Sequence, residues 1–317
     1  MSYMPCLEKI QIGQEAVIGT GVVTDIQLPG ITNVRIDPKV EAMQLIDKRG
    51  TTMPSHEAFI KKRWSEGTIE GYLNYKEAPV WLNGMFGTDD SSPHVYLAQP
   101  AWAGAAEESL TLKYGQTGAL FSVDGVMCKN LKLSGSAGEP VKFAYDFFGK
   151  PVADGATFAA LADDTVTWVQ GTDATFSMDA GSGATVGTSE LELTGFSWEA
   201  NITCDRQPVW HLGSQEHDSY KRGKWGGSLK LVLEGTDVML AHLGNSLDAL
   251  LTPISYAIEI EHETALHDIF TLQFVGTVID APTLITDSDD IVTVEMTLVP
   301  TYGSDLTTCW AAGVTIV

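Results

Sequence analysis

Residues 63–69, Arg63-Trp64-Ser65-Glu66-Gly67-Thr68-Ile69, return one position shorter at residues 224–229 as Lys224-Trp225-Gly226-Gly227-Ser228-Leu229. A phrase that comes back within one chain is the mark of a repeat, and it governs how the flanking sequence is read. Upstream, Leu28-Pro29-Gly30-Ile31 recurs as Leu193-Thr194-Gly195-Phe196. Downstream of each Trp element comes a strand-like run and then a candidate short helix, EAPVWLNGMF at 77–86 and TDVMLAHLGNSLDALL at 236–251. In the second, Leu240, Leu243, Leu247 and Leu250 fall on one stripe and Asp237 is placed to cap its start.

Beyond the helices the pattern changes to period two, the sign of half-buried strands. Leu110, Leu112 and Tyr114 alternate, as do Tyr256, Ile258 and Ile260. Phe121-x-Val123-x-Gly125 matches Leu272-x-Phe274-x-Gly276, and Val141, Phe143, Tyr145, Phe147 match Val292, Val294, Met296, Leu298. Five features in one order predict a mainly β chain. The expected fold is two tandem antiparallel β-sandwich or partial-barrel domains, each flanked by one short α-helix, over residues 1–160 and 161–317. Between them residues 153–187 are rich in Gly, Ala, Thr and Asp, and Thr165–Val169 reads as a strand in an ordered connector.

Charge narrows the function. Forty-one acids against nineteen bases leave a net charge of -22, the opposite of the basic footprint that tight nucleic-acid binding requires. The bases are also segregated: none occurs from Pro151 to Asp205 or after Lys230. They gather at Lys48, Arg49, Lys61, Lys62 and Arg63, and again at Arg206, Lys221, Arg222 and Lys224. Each cluster leads into its Trp element. Solvated faces often carry charge runs, but clusters at matching places in a repeat suggest contact loops. Trp64 and Trp225 are either core residues or interface anchors.

Catalytic signatures are missing. There is no G-x-S-x-G elbow, P-loop or HExxH. On a strand His262 faces away from Glu261 and Glu263, which breaks up a metal cluster, and Asp287, Asp289 and Asp290 lack the Gly and later Glu of a calcium loop. Cys6, Cys128, Cys204 and Cys309 form no CxxC pair and read as free thiols. No catalytic residue, metal or cofactor is expected. No apolar run is long enough to span a membrane, and MSYMPCLEKIQIGQE lacks the pattern of a secretory signal.

LPGITNVRID (28–37), KRWSEGTIEGYL (62–73) and SLTLKYGQTGALFSVDGVMCKNLKLSGSAGEPVKFAYDFFGKPV (109–152) resemble the major tail tube proteins of long-tailed, siphovirus-like bacteriophages. The likeness continues through GATFAALADDTVTWVQGTDATFSMD (155–179) and SELELTGFSWEANI (189–202). It implies sandwich domains whose sheets join between subunits into a barrel around a channel, with rings stacked into a tube. The implied partners are further copies of the chain, a tape-measure protein, tail terminator and tail-tip proteins, and double-stranded DNA in passage, with no membrane. The implied place is the virion tail, after synthesis in the host bacterial cytoplasm. Most members carry one domain and form hexameric rings, so two domains per chain imply a trimeric ring with pseudo-sixfold symmetry. The segments Arg35 to Arg63 and Asn201 to Lys224 match the loop that reaches the adjacent ring, which makes the nine clustered bases inter-ring contact candidates. An acidic β-sandwich carbohydrate-binding module or adhesin is the alternative.

Overall fold

The alternating runs fold as strands, because period-two side chains suit a pleated surface with one buried face. The computed structural model describes residues 9–45, 57–87, 94–98, 109–116, 118–161, 165–179, 190–237, 254–261, 268–278, 283–286, 292–301 and 309–315. The first series is β1 (Lys9–Glu15), β2 (Ile26–Gln27), β3 (Ile31–Leu45), β4 (Glu57–Tyr72), α1 (Ala78–Phe86), β5 (His94–Leu97), β6 (Ser109–Gln116), β7 (Ala119–Ser136), β8 (Lys142–Gly149) and β9 (Ala153–Asp154). The second is β10 (Ala174–Asp179), β11 (Glu190–Leu193), β12 (Gly195–Cys204), β13 (Gln207–Val209), β14 (Ser219–Lys221), β15 (Trp225–Glu234), β16 (Ile254–Glu261), β17 (Ile269–Val278), β18 (Thr283–Thr286), β19 (Val292–Pro300) and β20 (Trp310–Thr315). Every pairing among them is antiparallel.

One long sheet runs β3, β4, β8, β7, β12, β15, β19, β18. The pairing plan recurs between the two series. β1–β2, β1–β6, β6–β7, β3–β4 and β4–β8 are answered by β10–β11, β10–β16, β16–β17, β12–β15 and β15–β19. The halves even share a bulge: Thr32 is skipped between Ile31 and Asn33, and Phe196 between Gly195 and Ser197. Among the described residues their strands pair with each other in two places, β7 with β12 and β5 with β20.

Buried faces follow the sequence alternation. Phe143, Tyr145 and Phe147 on β8 and Leu131 and Leu133 on β7 point into the core. There Trp81 of α1 rests on Phe143 and Tyr145, at ring separations of 4.8 and 5.0 Å. The helix starts at Ala78 and carries Pro79 in its first turn, which the fixed φ of proline suits. The Asn74 side-chain carbonyl accepts from the Glu77 amide at 2.8 Å. It stops at Gly87, whose φ of 110° a residue with a side chain rarely adopts. Gly84 is required for packing, since a Cβ there would collide with the Tyr145 hydroxyl.

Two expectations need comment. Thr165–Val169 is not a strand: Trp168 and Gln170 make single bridges to Asn74 and Pro140. The Val169 backbone exchanges bonds with Leu73 and Val141, which ties this segment to the first half. The helix expected over 236–251 lies, after Asp237, outside the described residues.

Glu77 is 2% exposed, and neither carboxyl oxygen has a hydrogen-bond partner among the described residues. Desolvation pushes this carboxyl up from 4.5 to about 7, against the lowering pull of Asn74 and Lys76. A raised acid keeps its proton in the folded state while the unfolded chain releases its own. Its stability contribution is therefore full below about 4.5 and is lost as pH climbs through about 7. Glu77→Gln should flatten this slope, so that urea midpoints of the unassembled subunit at about pH 5 and about pH 8 lie closer together than in the wild type. Equal slopes in the two proteins would exclude Glu77 as the source.

Candidate functional site

β8 accompanies β4 only from Ser65 to Tyr72, yet β3 and β4 stay paired out to Leu45 and Glu57. The hairpin thus overhangs the sheet by the length of Glu57–Trp64, about 25 Å at the rise of a strand. It carries apolar side chains into solvent: Val40 is 59% exposed and Phe59 45%, with Met43 and Ile60 close behind. Beside them Lys61 and Lys62 both approach the Glu41 carboxylate, at 3.4 and 3.8 Å. Lys48 and Arg49 lie outside the described residues.

The corresponding segment of the second half, residues 205–224, folds back instead of overhanging. Its small β13–β14 hairpin is the only sheet it forms among the described residues. The Arg63 amide donates to the Gln215 carbonyl at 2.9 Å, and the Gln215 side chain donates to the Ile60 carbonyl at 3.0 Å. The Arg63 guanidinium pairs with Glu216. Trp64 meets Trp210 edge-on at 5.6 Å, with the Lys62 ammonium 4.4 Å over the Trp210 ring. His217 packs its ring edge-on to Phe148 at 5.5 Å. So Lys62, Arg63 and Trp64, singled out from one copy of the repeat, meet the arm of the other.

The remaining candidates divide. Lys221 and Lys224 are exposed. Arg222 sits 5.0 Å from the Trp225 ring, and Trp225 stacks on Phe86 at 5.3 Å and packs against the core. The two tryptophans are not equivalent in register. Ile69 pairs with Tyr145 as Leu231 pairs with Met296, which sets Arg63, rather than Trp64, level with Trp225. Trp64 is half-buried between hairpin and arm, whereas Trp225 belongs to the edge of the core.

Arg206 stands apart from the other bases. It is 1% exposed, and its guanidinium donates to the carbonyls of Gly84 at 2.9 Å, Cys128 at 2.7 Å and Met85 at 2.6 Å. Gly84 and Met85 belong to the last turn of α1, where carbonyls have no partner within the helix and a cation is favoured. As a loop candidate for contact with another ring Arg206 is therefore corrected: its donors are spent inside the chain. Nothing in the sequence separates it from Lys221 or Lys224, because only the tertiary fold buries it.

The solvent face of the long sheet carries alternating charges that answer one another. Arg35 pairs with Asp37 at 3.0 Å, Lys129 with Glu66 at 3.5 Å and Lys230 with Glu295 at 2.6 Å. Asp146 accepts from Thr68 at 2.6 Å and Asn130 at 3.0 Å. Among the described residues no group of three or more His, Cys, Asp or Glu is placed to hold a metal ion, and no helix is long and apolar enough to cross a membrane.

A family model described as phage tail tube protein matches residues 9–298. No curated protein matches the chain.

The Arg206 contacts generate a stability test. Arg206→Ala would leave three buried carbonyls without their donor and should cost about 3 kcal/mol in denaturant unfolding. Lys221→Ala and Lys224→Ala, on the surface, should stay within about 0.5 kcal/mol of wild type. An Arg206→Ala midpoint indistinguishable from these two would remove its capping role.

Proposed function

The chain belongs to the phage tail tube protein family, a structural component of the virion tail, and on that premise we propose that three copies close into a ring that stacks into a tube for DNA passage. The observation that carries this reading is the β7–β12 junction, in which the edge strand of the second half extends the sheet of the first. In this reading each chain supplies two tube domains, residues 1–160 and 161–317, and six such domains complete one turn of a barrel with pseudo-sixfold symmetry. Closure into a barrel removes exposed edges, which otherwise template unwanted pairing.

The solvent face of the long sheet becomes the channel wall. Its bases are mostly matched to carboxylates, so the wall offers few free cations to phosphates, and in the second half Lys230 alone answers Glu199 and Glu295. Duplex DNA carries about one charge per 1.7 Å, and unpaired bases repeated in every ring would retard it. A surplus of acid over base keeps the channel acidic and slippery.

Stacking falls to the overhanging hairpin. It leaves the sheet along the strand direction, carries exposed apolar residues beside Lys61, Lys62 and Arg63, and has Leu212 of the arm fully exposed beside it. Val17 and Val23 are exposed near the same end, where the Lys150 ammonium donates to the Gly19 carbonyl at 2.8 Å. The opposite end presents Asp173, Glu234 and Asp237 at strand ends and turns, with Glu139 paired to Lys142 at 2.6 Å. Opposed charges at the two ends favour head-to-tail contact and set its direction. The tube is completed by a tape-measure protein, a tail terminator and tail-tip proteins, after synthesis in the host bacterial cytoplasm.

Concentrated protein viewed by electron microscopy should show tubes of stacked rings. Replacing Lys61, Lys62 and Arg63 together by Glu should stop elongation at single rings while the circular dichroism of the subunit is kept. Tubes of normal length from that variant would refute the stacking role, and persistent monomers of the wild type would refute the ring.

A further inference from the structure

The ring in this reading has a second kind of junction, between copies, and the repeated strand plan specifies its register. Among the described residues β3 pairs only with β4, and β18 only with β19, so both present an open edge. These are the two ends of the long sheet. Each has a counterpart that is already paired at the junction inside the chain. β12 corresponds to β3, since their partners β15 and β4 occupy matching places in the repeat and both strands carry the same bulge. β18 corresponds to the last part of β7: Leu284 pairs with Val294 as Leu133 pairs with Phe143. Phe143 and Val294 are themselves matched, because they face Gly71 and Leu233 at the same step of the next strand.

Inside the chain, Lys132 lies opposite Asn201, Leu133 opposite Ala200, Ser134 opposite Glu199 and Gly135 opposite Trp198. Carrying each position across, Asn201 becomes Asp37, Ala200 becomes Ile36, Glu199 becomes Arg35 and Trp198 becomes Val34. Lys132 to Gly135 become Thr283 to Thr286 in the same way. We infer that β18 of one copy pairs antiparallel with β3 of the next, with Thr283 opposite Asp37, Leu284 opposite Ile36, Ile285 opposite Arg35 and Thr286 opposite Val34. The occupant of each open edge is a second copy of this chain, and the contact is head-to-tail, as ring closure requires.

The sequence supports this register independently. In the sequence Pro38 follows Asp37 and Pro282 precedes Thr283, so the position next to the first pair is a proline on both sides. Neither has an amide hydrogen, and proline is tolerated in a sheet only at edges and ends. Aligned opposite each other they end the ladder at one level. A shift by two residues that put Thr283 opposite Lys39 would move Pro38 in among the paired residues of β18. A shift by one would turn Val34 and Ile36 of β3 to the channel face.

This inference rests on the ring reading, and thiol cross-linking separates the two. Asp37→Cys with Thr283→Cys in one chain should assemble into rings seen by electron microscopy. Under mild oxidation it should give covalent multimers at least tenfold above wild type, either single variant, and the pair Lys39→Cys with Thr283→Cys. The wild type controls for Cys6, Cys128, Cys204 and Cys309. If the first pair fails to assemble, Arg35→Cys with Ile285→Cys tests the same register two residues along and should link equally well. Rings that link through the Lys39 pair, or through neither in-register pair, would overturn the register while leaving the ring intact. Absence of rings in the wild type would overturn the ring and, with it, the junction.

Discussion

A β-sheet that stops leaves a row of amide hydrogens and carbonyls unpaired, and a soluble protein has to cover, blunt or close that row. In this chain the constraint is answered once internally, where seven residues of β12 run antiparallel to the end of β7. Around that junction the two halves cease to be separable. β5 crosses to pair β20, the Tyr75 hydroxyl reaches the Ile260 carbonyl at 3.3 Å, and the 205–224 arm lies along the first half as far as Ile60. Arg206 makes the arm part of the core itself, because its guanidinium terminates α1. Among the described residues the long sheet keeps two open edges, at β3 and β18.

The same structure accounts for the segregation of charge. Bases are present where they meet an acid across strands, as in Lys230 with Glu295, or where they cluster at the overhanging end of the β3–β4 hairpin. On the sheet face Lys129 and Lys230 meet acids across strands, and at the hairpin Lys61 and Lys62 share Glu41 while Arg63 meets Glu216. The second half carries no base after Lys230, while the first keeps Lys113, Lys129, Lys132 and Lys142 on its strands.

The mainly β class, α1 and the repeated order of strands were legible in the sequence, because alternation and a Pro-started apolar run are local signals. Registers were less so. The shared Trp of the repeat, Trp64 and Trp225, is one residue out of step with the strand register, and in a strand one residue reverses the face. The cross-strand partners Tyr145 and Met296, which no local pattern supplies, set Arg63 at that level instead. Thr165–Val169 has the composition of a strand, but neighbours offer it only isolated bridges at Asn74 and Pro140. Among the candidate site residues, Lys61, Lys62 and Arg63 lie on the β3–β4 hairpin, while Arg206 is buried by residues from α1 and β7 more than 70 positions away.

The central claim is that one chain carries two sheet units and that three chains close the ring. Native mass spectrometry of rings isolated from the tube counts chains directly. The account predicts three copies of the 34.2 kDa chain per ring. Six copies per ring would contradict it, because the second half of each chain would then be surplus to the barrel.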